Sequence, residues 1–153
     1  MRITKRSNIA IRVLMYCGAN AGRLVTKSEV AQVCNTSENH LAQVINRLGQ
    51  LQYLKTQRGR CGGITLAHPM DEISIGAIFR DLEHHVPIAE CFADIDNSCP
   101  LTDACRLKDA VAAAAEAFYA HLDGVTLDDL VCGNTALMKI MVPLECGGAS
   151  PAP

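Results

Sequence analysis

No stretch of this sequence approaches the roughly 18 consecutive apolar residues that a membrane-spanning helix needs, so the chain is expected to stay off the membrane. It also lacks a P-loop, a nucleophile elbow and a glycine-rich dinucleotide fingerprint, and with them the usual short signatures of enzyme chemistry. The pair His84-His85 stands without other placed groups and reads as a charge feature at a helix C-terminus rather than a catalytic dyad. No enzyme is expected. Cysteine pairs at C-x2-4-C spacing, the common mark of a structural zinc loop, are missing too, although the chain holds 8 cysteines. An even cysteine count implies a disulfide framework mainly in short secreted chains that cannot build a core. At 153 residues, 49% of them hydrophobic, this chain can build one. Its opening, MRITKRSNIAIRVLMYCGANAG, imitates a secretory signal through basic residues, an apolar run and a small-residue A-N-A site. Arg12 breaks that run, and Ile9, Val13 and Tyr16 or Cys17 recur on one helical face. The segment therefore reads as part of the fold, the chain as cytoplasmic and its thiols as reduced.

A large net charge is likewise missing, since the total is only -2. The halves differ sharply, however. Residues 1–66 hold ten Lys/Arg (Arg2, Lys5, Arg6, Arg12, Arg23, Lys27, Arg47, Lys55, Arg58, Arg60) against Glu29 and Glu38, a surplus of eight positive charges. Residues 67–153 hold four against fourteen, a surplus of ten negative charges. That asymmetry points to a polyanion-binding front and a solvated or partner-facing back.

Within the basic half, a first helix is expected over 9–19, closed by Asn20 and Gly22. In TKSEVAQVCNTSENHLAQVINRLGQLQYL, Thr26 can cap a short helix over 27–34 and Asn35 tolerates the left-handed turn. Ser37 can then cap a second helix, with Glu38 set against its dipole. Ala31, Asn35, Leu41 and Val44 stand at the offsets of a helix-turn-helix. The second helix buries Leu41, Val44, Ile45 and Leu48 and presents Asn39, His40, Gln43, Asn46 and Arg47, which can reach base edges and phosphates. Ser37 at its cap, Asn39, His40, Gln43 and Arg47 are the candidate DNA contacts on this helix. YLKTQRGRCGGITLAHP then alternates like two short strands around a glycine turn, a basic wing in which Arg58 and Arg60 reach the DNA backbone or minor groove. Cys17 and Cys34 fall on apolar helix positions as small core residues.

In the acidic half, DEISIGAIFRDLEHHVP reads as a helix with Ile75, Ile78, Phe79 and Leu82 inward, ended by Pro87. ECFADIDNSCPLTDACRLKDA follows, with Cys91, Cys99 and Cys105 spaced C-x7-C-x5-C. Cys105 opens an alanine-rich helix whose apolar positions are Leu107, Val111, Ala114 or Ala115, Phe118 and Leu122. A helix N-terminus favours thiolates. Zinc, an iron-sulfur cluster, a redox-active thiol pair and three unrelated thiols are all readings of this spacing, with the cluster able to span a more open loop than one ion can. Three cysteines need a fourth ligand from elsewhere: Glu90, Asp94, Asp96, Asp103, His84, His85, a small molecule or a second subunit. Beyond Asn134, TALMKIMVPLECGGASPAP offers an apolar piece that can pack back on the long helix and a Gly-Ser-Pro-rich end that reads as disordered.

The combination SENHLAQVINRLGQLQYLKTQRGRCGGITLA, IGAIFRDLE, CPLTDACRLKDAV and LDGVTLDDL resembles the Rrf2 family of winged-helix transcription regulators, from Met1 to about Leu130. The resemblance implies a mainly α fold with a small β-hairpin wing, a winged helix-turn-helix plus a long dimerisation helix. Its divisions would be a DNA-binding domain over 1–83, a cluster-binding loop over 84–105, the dimerisation helix and a following short helix over 106–133, and a partly disordered tail over 134–153. It implies a homodimer on a double-stranded DNA operator, carrying an iron-sulfur cluster on Cys91, Cys99 and Cys105. The implied type is 4Fe-4S rather than 2Fe-2S, because Lys108 stands where the family's 2Fe-2S regulators have a histidine ligand. Relatives with a 4Fe-4S cluster can draw an aspartate from the other subunit; the matching position is Asn8, so the fourth ligand would be Asn8 of the partner subunit or no protein group at all. An amide is a poor iron ligand. ACRLKDAV and LDGVTLDDL are most similar to the family's nitric-oxide-sensing repressors, and MRITKRSN, MYCGAN and AECF to its iron-responsive regulators. The implied function is a cluster-dependent repressor sensing nitric oxide. Iron or cluster sensing is the first alternative, and an iron-sulfur or zinc scaffold that does not bind DNA is the second.

Overall fold

The computed structural model describes residues 3–59, 62–83, 86–93 and 97–142. Arg60, His84, His85, Asp94, Asp96 and Cys146 lie outside these. Helix α1, Lys5–Ala19, starts four residues before the apolar periodicity alone would place it, because Thr4 caps it: its hydroxyl accepts from the Ser7 amide at 3.2 Å. Asn20 ends α1 and Gly22 takes φ +94° in the turn that follows. Helix α2, Lys27–Val33, opens on a reciprocal cap in which Thr26 Oγ1 accepts from the Glu29 amide at 3.3 Å and Glu29 Oε2 accepts from the Thr26 amide at 2.6 Å. Asn35 carries the tight turn at φ 47°, and Ser37 caps α3, Glu38–Gln50. Strands β1, Leu54–Gln57, and β2, Gly63–Leu66, pair antiparallel with Leu54 opposite Leu66 and Gln57 opposite Gly63. Val25 adds a bridge to Ile64 on the other side of β2, tying the wing to the helix-turn-helix.

The chain continues through α4, Ile75–Glu83, α5, Arg106–Asp123, α6, Leu127–Val131, and α7, Thr135–Met141. Short 3-10 turns lie at Met70–Glu72, Glu90–Phe92 and Thr102–Ala104. The core gathers on α1, whose Ala10, Val13, Leu14 and Tyr16 are fully buried against α3, α4, α6 and β2. The four apolar residues expected on α3, Leu41, Val44, Ile45 and Leu48, all enter it, as do Cys17 and Cys34. Ile75, Ile78 and Phe79 of α4 are buried. The apolar piece after Asn134 does not dock where its position after the long helix suggests. It forms α7, which packs on α1, with Met141 buried and its carbonyl accepting from Asn20 Nδ2 at 2.9 Å. The reason is a chain reversal at α6: the Leu127 amide donates to the Ile73 carbonyl at 2.9 Å and the Ile75 amide to the Val125 carbonyl at 2.9 Å, turning the chain back onto α1.

In contrast, α5 has no buried residue in the single chain. It packs on α4, yet Leu107 near its start is 70% exposed and Leu101 just before it 64%.

Candidate nucleic-acid interface and cysteine loop

The helix-turn-helix fixes α3 by its apolar side, and the opposite side stays in solvent. Asn39, His40, Gln43 and Asn46 are exposed there. Ser37 does more than cap: its hydroxyl accepts from the His40 amide at 3.4 Å and shares a 2.9 Å hydrogen bond with His40 Nδ1, which orients the imidazole on the first turn. Arg47 is half-buried and turns inward, its Nη2 donating to the Asp81 carbonyl at 3.4 Å. Glu38 would repel a polyanion, but Lys27 Nζ sits 3.0 Å from it and the Ser28 hydroxyl donates to it at 2.9 Å. Those two hydrogen bonds hold the Glu38 carboxyl below the usual carboxylate range.

Between α3 and the wing lies a cleft of about 460 Å³, lined by Lys27, Asn46, Thr56, Arg58 and the backbone of Gly62 and Gly63 among others. Arg58 is exposed at its rim, whereas Arg60 lies outside the described residues. Lys27 and Thr56 join this cleft without any local sequence signal for it. Only the return of the wing onto the start of α2 brings them beside α3, and the Val25–Ile64 bridge that makes that return pairs segments far apart in the chain. Gly62 and Gly63 are required at the wing, since a Cβ on Gly62 would meet the Gly59 carbonyl oxygen at 2.9 Å and one on Gly63 the Val25 carbonyl oxygen at 2.7 Å.

The cysteines fall into two kinds. Cys17 and Cys34 sit in the core, where burial pushes the Cys17 thiol up to about 12 and raises that of Cys34 against the smaller opposing pull of Arg12. Cys91, Cys99 and Cys105 are half-buried on the segment that joins α4 to α5, and Cys132 is exposed, its thiol raised chiefly by donating to Asp128 Oδ1 at 2.9 Å. Cys91 lies in one 3-10 turn, Cys99 is pinned by its amide donating to Asn97 Oδ1 at 3.2 Å, and Cys105 is the N-cap residue of α5. Among the described residues no three His, Cys, Asp or Glu side chains converge closely enough to hold one ion. Asn8 is exposed on α1. Thiol reactivity should follow this division. With reduced, iron-free protein and brief iodoacetamide treatment at about pH 8, just below the ordinary thiol pKa, peptide mass spectrometry is expected to find Cys91, Cys99, Cys105 and Cys132 alkylated while Cys17 and Cys34 stay unmodified. Equal labelling of both kinds would contradict the buried placement.

No described helix is long and apolar enough to cross a membrane. The sequence pattern of the Rrf2 family, described as an iron-dependent transcriptional regulator, matches residues 3–133. The chain is 40% identical over 142 residues to the HTH-type transcriptional regulator NsrR of Geobacillus kaustophilus, covering 92% of this chain and 97% of that one. It is 39% identical over the same length to NsrR of Bacillus subtilis, with the same coverage, and 40% identical over 131 residues to Protein aau3 of Rhizobium meliloti, covering 86% and 85%. Among solved structures, the global cysteine regulator CymR of B. subtilis matches with a TM-score of 0.63 at 25% identity, covering 86% of this chain and 96% of that one. IscR of T. potens matches in fold with a TM-score of 0.67 at 21% identity, covering 85% of each chain. The winged helix-turn-helix read from the sequence is thus the fold observed, and the chain belongs to the Rrf2 family of transcriptional regulators.

Proposed function

We propose, from membership of the Rrf2 family, that this regulator is a homodimeric repressor whose grip on its operator depends on an iron-sulfur cluster held by Cys91, Cys99 and Cys105, with nitric oxide as the signal. The observation that carries the reading is the placement of three free thiols on the one segment linking the DNA-reading half to α5. The donor set suits a 4Fe-4S cluster. Thiolates are its normal ligands, and a cluster is larger than a single ion, so its ligands need not converge as an ion's must. Cys105 makes no side-chain cap bond, which leaves its sulfur free to ligate. When bound, the cluster supplies iron-thiolate bonds that nitric oxide, oxidation or iron loss can break. Asn8 of the partner subunit is a weak candidate for the remaining position, which would leave one iron open to small molecules.

The rest of the mechanism belongs to the chain's own residues. Asn39, His40 and Gln43 meet base edges in the major groove, and Arg58 meets phosphate, the role the sequence also gives Arg60. Apolar side chains left uncovered at the start of α5, Leu101 and Leu107, are satisfied by a second copy. Two recognition helices must then sit about 34 Å apart to enter successive major grooves. Held together by the cluster, Cys91, Cys99 and Cys105 would fix the end of α4 against the start of α5 and so hold that spacing, which would drift once they part. A swing from 99:1 to 1:99 in the DNA-competent form needs about 5.5 kcal/mol between the two states.

The test is purification without oxygen, followed by an absorption spectrum, iron analysis and nitric oxide titration of the protein bound to DNA. Wild type should be coloured, carry iron and release DNA on titration. Cys99→Ala should be colourless and unresponsive yet still a folded dimer. Colourless, iron-free wild type that grips its operator unchanged sinks the proposal. The family's description as iron-dependent favours a second reading in which iron supply is the signal; DNA release by a chelator, with no response to nitric oxide, would select it.

A further inference from the structure

Arg80 and Asp81 are adjacent on α4 and so point about 100° apart around its axis. They reach different parts of the molecule. Arg80 forks onto α5: Nη1 donates to Glu116 Oε2 at 2.9 Å, and Nη2 donates to Glu116 Oε1 at 2.7 Å and to Asp123 Oδ2 at 3.0 Å. Its guanidinium carbon lies 4.9 Å from the centroid of the Tyr119 ring, also on α5. Asp81 reaches the DNA-reading unit. Its carboxylate accepts from the Tyr53 hydroxyl at 2.7 Å, just after α3, and its carbonyl accepts from Arg47 Nη2, on α3 itself. One turn earlier, Gly76 allows the backbone of α4 to lie against Asp123.

An isolated exposed ion pair contributes little, because two mobile side chains must be held in one geometry and water screens the charges. A bidentate fork braced by an aromatic ring is different in kind, since it fixes direction as well as distance. Here the fork and the Asp81 contacts share two consecutive residues of one short helix. Any tilt or slide of α5 that drags Arg80 must therefore move Asp81, and with it the anchor points of α3. We infer that this turn of α4 is the joint through which the pose of α5 sets the pose of the recognition helix, with Arg80, Asp81 and Tyr53 as positioning residues for DNA reading. The inference rests on the reading of α3 as the DNA-contacting helix and not on the cluster. Unrelated contacts, the plain alternative, would act independently, and independent sites add in their effects.

The probe is the duplex that the native chain enriches from a random-sequence library, compared with a scrambled duplex of equal length at one salt concentration. Arg80→Gln is expected to weaken binding to the enriched duplex roughly tenfold, the scale of one spoiled base-pair contact, while leaving the scrambled duplex unaffected. Tyr53→Phe, which removes one hydroxyl and preserves the packing, should do the same. The double variant should lose about as much as either single one, and Arg80→Lys, which keeps the charge without the fork, should recover little. A merely stabilising role would lower the melting temperature and depress both duplexes together. An unchanged ratio of enriched to scrambled affinity in the two single variants overturns the inference, as do additive losses in the double. If no duplex is enriched by the native chain, the DNA reading falls and this inference with it; if one is enriched but binds equally with and without iron, only the cluster reading falls.

Discussion

Gly76→Ala is expected to destabilise the protein by about 3 kcal/mol, at the upper end of overpacking costs, lowering the melting temperature on the order of 10 °C. A Cβ there would collide with Asp123 Oδ1 and would stand 2.5 Å from the Asp123 amide nitrogen and 2.8 Å from its Cα. Backbone atoms cannot rotate away as the end of a flexible side chain can, so α4 and α5 would have to separate. The same substitution has the opposite sign elsewhere. Gly49 lies inside α3, and a Cβ added to it would have the Leu54 carbonyl oxygen as its nearest neighbour at 4.0 Å, so Gly49→Ala meets no obstruction. It should stabilise by up to about 1 kcal/mol through the lower backbone entropy of alanine in a helix. Thermal unfolding of the two variants beside wild type checks both signs at once. A Gly76→Ala protein as stable as wild type would show that α4 and α5 can part at little cost, and the joint at Arg80 and Asp81 would lose its rigid backing.

The DNA-reading half was readable from sequence because its signals are local. Thr26, Ser37 and Asn35 are caps and a turn with their own chemistry, and the four buried positions of α3 repeat at helical spacing within thirteen residues. The short strands could be placed because glycines bracket the wing tip. What escaped depends on contacts between distant segments. The start of α1 at Lys5 is sealed by Glu83, whose Oε1 accepts from the Thr4 amide at 3.0 Å and its hydroxyl at 2.8 Å across 79 positions of sequence. Arg47 is of the residue type expected at a DNA contact, and no local signal showed that the Asp81 carbonyl near the end of α4 accepts from it at 3.4 Å. Nor could the return of α7 to α1 be read from an apolar run that would suit either helix. The candidate metal ligands were legible as a cysteine count and spacing, whereas their arrangement was not, since the described stretches around them form only short 3-10 turns with no period to read.

Raising salt from about 50 to 200 mM should weaken DNA binding by about a thousandfold, the steepest change expected of this protein, because neutralised phosphates release counterions with a slope of about -0.9 per contact. Among the described residues, Lys27, Lys55 and Arg58 are exposed cations on the helix-turn-helix edge and wing. Counted in both halves of the proposed dimer they would make about six phosphate contacts, hence a slope of roughly -5 in log affinity against log salt. Arg58→Gln should remove two of these and flatten the slope by about 2, weakening every duplex alike. Gln43→Ala should leave the slope untouched while costing about 1 to 3 kcal/mol on the preferred duplex only, since a side chain that reads a base edge releases no counterion. The two substitutions thus separate grip from reading. Titration of a labelled duplex at four or five salt concentrations measures both. A wild-type slope near -1 would mean that the basic half does not lie along the phosphate backbone, whereas a steep slope unaltered by Arg58→Gln would move the grip from the wing to other cations of the same half.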